Sequence, residues 1–445
     1  MSASDAPPGE RPRDSKGEPP RLVRAVGVFG LAASIVNITI GGGIFRLPSL
    51  VAATLHAAAP LAFVICAAVM GVIVVCFAEA GKRVDLTGGP YAWVGEAFGP
   101  FPGFLAGVLL WLPGTLAMSA VATILADAFA GLVPVLGGAA GRALFLVALF
   151  GVLGAVNLSG VRQGTWLNVV ATAAKLVPLT GLVAVGLFVI DPANLAQTAP
   201  PSAATLSRAA MLLMFAFFGL ESALIPSGEI ADVRRTVPRA ILAAMVLVTA
   251  LYVLVQIVAQ GVLGDALARQ SAPLAAAAAR VFGPRGATVL YAGTLVAMLG
   301  SVAGMTLAAP RGLYAFAEQR VLPGALLRVH PRFHTPYLAI VTQCALVCLL
   351  AITSGFERLA VIANLAALLL YALCCLAAWR LSRKERPSWR AAWAPCLACG
   401  AILWLLTSIT WPEWRVLGAV LLPASLLYAL KVGWRRTPQA IAANR

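Results

Sequence analysis

Residues Gly41-Gly42-Gly43-Ile44-Phe45 interrupt the first long apolar run of the chain, which covers residues 26–55. Three consecutive glycines weaken a helix and free backbone groups that a continuous helix would pair. In hydrocarbon no water meets those groups, so a break persists only against protein or a water-filled cavity. A broken helix near the start of a many-span chain points to a transporter site.

Composition leads to the same class. The chain has 445 residues, of which 60% are hydrophobic and 11% charged, far too apolar for a soluble globular protein. Runs long enough to cross a bilayer lie near 26–55, 60–81, 98–126, 142–158, 166–190, 208–226, 239–263, 287–310, 337–354, 358–379, 391–410 and 413–432, which predicts twelve spans. The formal charge of +16 follows their alternation. With the N-terminus inside, inner segments hold 24 of the 33 Lys and Arg and outer loops 7, while Arg46 and Lys175 fall within spans. That asymmetry predicts both termini in the cytoplasm. A nucleic-acid partner would need the cations on one face and is not expected.

Residues 1–24 are polar and rich in Pro, Gly and charge, and read as a disordered cytoplasmic tail with no removable signal peptide. A second tail covers 433–445. The eight cysteines sit in or beside spans and read as small apolar packing residues. Cys396 and Cys399 have half a metal or redox motif, but nothing completes it, so no metal and no cofactor is expected.

A second break stands in span six, Phe215-Ala216-Phe217-Phe218-Gly219-Leu220-Glu221, followed by Gly228-Glu229-Ile230 and Arg234-Arg235-Thr236-Val237-Pro238. Breaks in spans one and six fit two five-span repeats that enter the membrane from opposite sides and meet at its midplane. The transport core would cover residues 25–380, with breaks at 41–45 and 215–221. Spans eleven and twelve (381–432) would lie outside the repeat.

These two breaks and their loops, with Gly88-Gly89-Pro90-Tyr91-Ala92-Trp93 opening span three, resemble the amino acid–polyamine–organocation permeases across nearly the whole chain. The likeness is to bacterial amino acid permeases and exchangers of the LeuT-type fold. It implies an all-α integral membrane protein of twelve helices, a 5+5 inverted repeat and two extra C-terminal helices. It implies a secondary transporter in the inner or plasma membrane, a monomer or homodimer without enzymatic activity, moving amino acids by proton coupling or exchange. A non-transporting sensor or partner subunit, or a polyamine or organic-cation permease, are the alternatives.

Gly41, Gly42 and Gly43 would let the backbone approach the substrate carboxylate, and carbonyls near Thr39, Ile40, Phe215 and Phe218 would receive its ammonium, with Gly219 in the same break. Close helix packing is the other reading of the three glycines. Glu221, an intramembrane carboxyl group, is a proton-sensing candidate, or else a structural hydrogen-bonding group. The resemblance places Lys175 where sodium-coupled relatives hold a sodium ion, either as a proton carrier or as a fixed cation. It aligns Phe215 and Met305 with aromatic positions of arginine-type exchangers and Met118 with a polar one, which leaves an aliphatic pocket suited to a neutral amino acid. Arg46 should face the outer vestibule or snorkel. Glu79 with Lys82 and Arg83, and Glu229 with Arg234 and Arg235, read as cytoplasmic ion pairs. Asn364 is a candidate wall residue.

Overall fold

The computed structural model describes residues 27–84, 89–159, 165–196, 200–219, 221, 232–318, 322–385 and 393–442. The expected N-terminal tail, Gly88, Leu220 and residues 222–231, Glu229 among them, lie outside the described residues, while Arg235 stands 3.7 Å from Asp232.

Among the described residues the secondary structure is helical throughout. In chain order the helices are α1 (Val28–Thr39), α2 (Leu47–Leu55), α3 (Ala59–Gly81), α4 (Pro90–Phe98), α5 (Pro100–Leu132), α6 (Ala139–Leu158), α7 (Thr165–Gly186), α8 (Ala203–Leu213), α9 (Val233–Leu263), α10 (Pro273–Glu318), α11 (Tyr337–Thr353), α12 (Phe356–Glu385), α13 (Trp393–Leu406) and α14 (Trp411–Ala442). Among the described residues seven stretches are long and apolar enough to cross a membrane, and five shorter apolar helices accompany them. Two of the short ones, α1 and α8, are short because they stop at the two breaks.

Two elements differ from the simple span reading. The Pro-Tyr-Ala-Trp stretch does not open the third span; it forms the separate helix α4. Gly99, at φ +97° and followed by Pro100, ends that helix because L side chains rarely adopt such a backbone. Helix α10 bends at Gly283 (φ 74°, ψ −170°), just ahead of Pro284.

Helices α5 and α12 are the most enclosed of the long helices, and α6 and α14 the least. On α14, Leu422 is 72% exposed, as an apolar side chain whose solvent is lipid can be. Packing of α1, α3 and α9 together, and of α5 with α10 and α12, places both breaks inside the bundle. Polar pairs also fasten α5 to α11. Trp111 on α5 donates to Gln343 Oε1 on α11 at 3.2 Å, and Gln343 Nε2 donates back to Thr115 Oγ1 at 3.0 Å.

Helix α4 lies against α5 through glycine. A Cβ at Gly103 would stand 2.8 Å from the Gly95 Cα, which is backbone and cannot rotate away. Gly103→Val should therefore lower stability by about 1–3 kcal/mol through overpacking. Gly71→Ala, where a Cβ meets nothing within 4 Å, should raise it by roughly 0.5–1 kcal/mol. Thermal unfolding in detergent, followed by tryptophan fluorescence, separates the two.

Candidate functional site: two broken helices

The first break begins where α1 runs out. Ile40 leaves helical geometry (φ −74°, ψ 76°), and the Gly41 N–H turns back to donate to the Thr39 carbonyl at 2.7 Å. A continued helix would have sent that N–H to Asn37. The freed Asn37 carbonyl instead accepts from Lys175 Nζ on α7 at 2.5 Å. Lys175 is 6% exposed, so its charge is held inside the bundle against a helix C-terminal end, where a cation is favoured. Gly43–Phe45 then form one 3₁₀ turn before α2.

The second break begins as α8 passes into a 3₁₀ turn, Met214–Phe217. At this change of winding Asn364 Nδ2, on α12, donates to the Met211 carbonyl at 2.6 Å. Asn364 is thus a cap on the approach to the break. Phe218 is extended (φ −63°, ψ 150°) and Gly219 follows at φ +104°. The Gly219 N–H points to Glu221 Oε1 at 3.4 Å, and Tyr371 on α12 donates to Glu221 Oε2 at 2.9 Å. Tyr371 is set by an edge contact with Phe77, whose ring also meets Trp93 edge-on. Glu221, 5% exposed, therefore ties the second break to α12.

The two breaks touch. A Cβ at Gly219 would lie 2.4 Å from Ile38 Cγ2 and 3.1 Å from the Ile38 carbonyl oxygen, so only glycine fits there, on space as on φ. From α9, the Tyr252 hydroxyl stands 3.0 Å from the Thr39 carbonyl oxygen and 2.9 Å from that of Ala216. With a single proton it donates to one carbonyl at a time. Thr39, expected to offer its carbonyl to an ammonium, has that oxygen already engaged by Gly41 and Tyr252.

The three glycines are not alike. A Cβ at Gly42 would meet Val121 Cγ1 on α5 at 2.7 Å, and one at Gly43 would meet Phe215 Cδ1 at 2.8 Å. At Gly41 the nearest atoms are two carbonyl oxygens 3.9 Å away. The Phe215 ring lies 5.5 Å from that of Phe218 and meets Phe356 edge-on at 5.2 Å, so an aromatic cluster covers Gly43. Met118 is fully buried on α5, with its sulfur 3.4 Å from the Thr306 hydroxyl on α10. Met305, the neighbour of Thr306, is partly buried against the same core. The lining beside the first break is aliphatic and aromatic.

Two further charged groups are held by polar contacts of their own. Arg46 is held in place, its guanidinium donating to the Gln270 and Ser271 carbonyls at 3.0 Å each in the stretch between α9 and α10. Glu79 Oε1 pairs with Lys82 at 2.5 Å and its Oε2 with Arg83 at 2.6 Å. Among the described residues no group of three or more His, Cys, Asp or Glu side chains could hold a metal ion.

Sequence reasoning missed Tyr252, Tyr371 and Val121. A tyrosine in an apolar run is too common to single out, although the four-residue spacing of Tyr252, Gln256 and Gln260 marks a polar row on one helix face. Val121 carries no signal at all. Tyr252→Phe should cost about 1–3 kcal/mol, the penalty for a buried carbonyl left without its donor. Asn364→Leu should cost a similar amount. Chemical or thermal unfolding in detergent measures both.

Comparison with known proteins agrees with this architecture. The Amino acid permease family matches residues 26–428. A serine/threonine exchanger of Bacillus subtilis is 26% identical, with 92% of this chain and 94% of that protein covered. A methylthioribose transporter of the same organism is 25% identical over 92% and 93% of the two chains. A chloroplastic cationic amino acid transporter of Arabidopsis thaliana is 27% identical over 86% and 72%. These relatives are transporters whose named cargoes differ, so the likeness carries a class of activity and not a substrate. With its multiple apolar helices and a family match over nearly its whole length, this multi-pass membrane chain belongs to the amino acid permease family.

Proposed function

We propose that the chain is a secondary transporter that moves neutral amino acids across the inner or plasma membrane by alternating access. The observation that carries this reading is the contact of two broken helices, Gly219 against Ile38 and Phe215 over Gly43, inside an apolar bundle. A zwitterion needs N–H donors at one end and carbonyl acceptors at the other, and paired breaks supply both. Twelve spans in a 5+5 inverted repeat, with α13 and α14 outside it, account for the pairing. The aliphatic and aromatic lining of Val121, Met118, Phe215 and Met305 favours a side chain without charge.

In this mechanism the carboxylate takes the backbone N–H groups around Gly41–Gly43, and the ammonium takes carbonyls near Ile40 and Phe218. The cluster of Phe215, Phe218 and Phe356 acts as the outer gate. Spans one, two, six and seven then rock against three to five and eight to ten. Lys175 and Glu221 bias the step because each holds a break in place. A proton lost from Lys175 weakens its grip on the Asn37 carbonyl. A proton gained by Glu221 removes the charge that draws in the Gly219 N–H.

Purified protein in proteoliposomes, given a panel of labelled neutral, cationic and acidic amino acids, tests the reading. Uptake or exchange of neutral members is expected, with or without an imposed pH gradient; transport of none of the panel would overturn it. Gly42→Ala is best made together with Val121→Ala, which removes the clash at 2.7 Å. That pair should fold yet bind at least tenfold more weakly than Val121→Ala alone, about 1.4 kcal/mol. Lys175→Ala and Glu221→Gln should each change the pH dependence of transport. An unaltered profile in both would place the coupling elsewhere.

A further inference from the structure

Helix α9 carries a row of polar side chains that the transport reading does not use. Tyr252, Gln256 and Gln260 recur every four residues and so share one face, and all three are 1% exposed or less. Around them α9 buries Val248, Val255, Val258 and Ala259. Among the described residues neither amide atom of Gln256, Nε2 or Oε1, has a hydrogen-bond partner. Gln260 Nε2 reaches the Asn194 carbonyl at 3.4 Å, but its Oε1 has no partner among them. At the other end of the row Tyr252 has one proton for two carbonyls, and the buried Thr39 hydroxyl has no partner among the described residues either. Helical side chains lean toward the N-terminus of their helix, so Gln256 leans toward Tyr252.

Buried amides are nearly always paired, and a methionine or leucine would fill this volume without the penalty. The groups left over are of both kinds: two amide N–H donors on Gln256, two amide oxygens, one hydroxyl and one carbonyl lone pair. A bound cation would face the N–H groups and a bound anion the oxygens. Water gives and accepts two hydrogen bonds each way and suits the whole set. The row also has a source of water. Gln260 meets the loop around Asn194, which packs on α9 at Gly261 and Gly264, and residues 191–193 of that loop are exposed.

We propose that Gln256 centres a file of ordered water along α9, running from the loop at Asn194 to the backs of both helix breaks at Thr39 and Ala216. The file lies on the α9 side of the breaks, separate from the Val121 and Phe215 side assigned to substrate. Its water supplies the hydrogen bond that Tyr252 withholds from one of its two carbonyls. One consequence rests on the transport reading: when the breaks shift, water replaces Tyr252 at whichever carbonyl it releases.

Hydroxyl-radical footprinting by X-ray pulses on the full chain in lipid nanodiscs tests this without any substrate, because radicals born from bound water label the side chains beside it. Tyr252 and its ring neighbour Phe217, 0% and 1% exposed, should be labelled at least fivefold faster than Phe150, which is 3% exposed on α6, a helix that packs on α5, α10 and α11. Gln256→Leu should cut the Tyr252 label at least fivefold, and Gln256→Asn should retain most of it. Labelling of Tyr252 no faster than Phe150 in the unmodified protein would overturn the proposal, even if the leucine variant failed to fold. So would undiminished labelling in a folded leucine variant.

Discussion

A backbone carbonyl released from a helix inside a bilayer has to find another donor, and the centre of this protein is organised by that demand. Each break frees carbonyls that no water from lipid can meet. Lys175 takes Asn37, Asn364 takes Met211, and Tyr252 divides its proton between Thr39 and Ala216. The three donors come from α7, α12 and α9, so the helices around the breaks are held by the same bonds that make the breaks tolerable. Glu221 does the converse, accepting the Gly219 N–H that the second break leaves over.

The glycines act on the other half of the problem, which is distance. Gly219 combines a left-handed backbone with contact against the Ile38 carbonyl, and either alone would exclude a side chain. Gly42 and Gly43 are pressed by Val121 and Phe215, whereas Gly41 is open. A side chain at Gly42 or Gly43 would collide with those neighbours, whereas at Gly41 there is space for one.

Much of this was legible beforehand because lipid imposes simple rules. Apolar length marked the long apolar helices, and glycine in an apolar setting, three in a row at the first and Gly219 at the second, marked both breaks. Buried charge in lipid is costly enough that Lys175 and Glu221 stood out by residue type alone. What was not legible depends on side chains brought together from distant positions. Tyr371 and Glu221 are separated by 150 residues, and Tyr252 and Thr39 by 213. Nothing in the local pattern around Val121 distinguishes it from any other valine of α5. The Pro-Tyr-Ala-Trp stretch misled for a local reason, since Gly99 followed by Pro100 ends one helix and begins another within an apolar run.

By itself, then, the sequence determined a helical membrane chain, interrupted at two glycine-bearing points and carrying two ionisable groups too deep to be incidental. Periodicity, hydropathy and the cost of buried charge are properties of neighbours along the chain, and they suffice for that much. Only the tertiary structure decided that the two interruptions touch, which donor serves each freed carbonyl, and which glycine is closed by a side chain. Those outcomes depend on hydrogen bonds of 2.5–3.0 Å between helices, set by how the whole bundle packs.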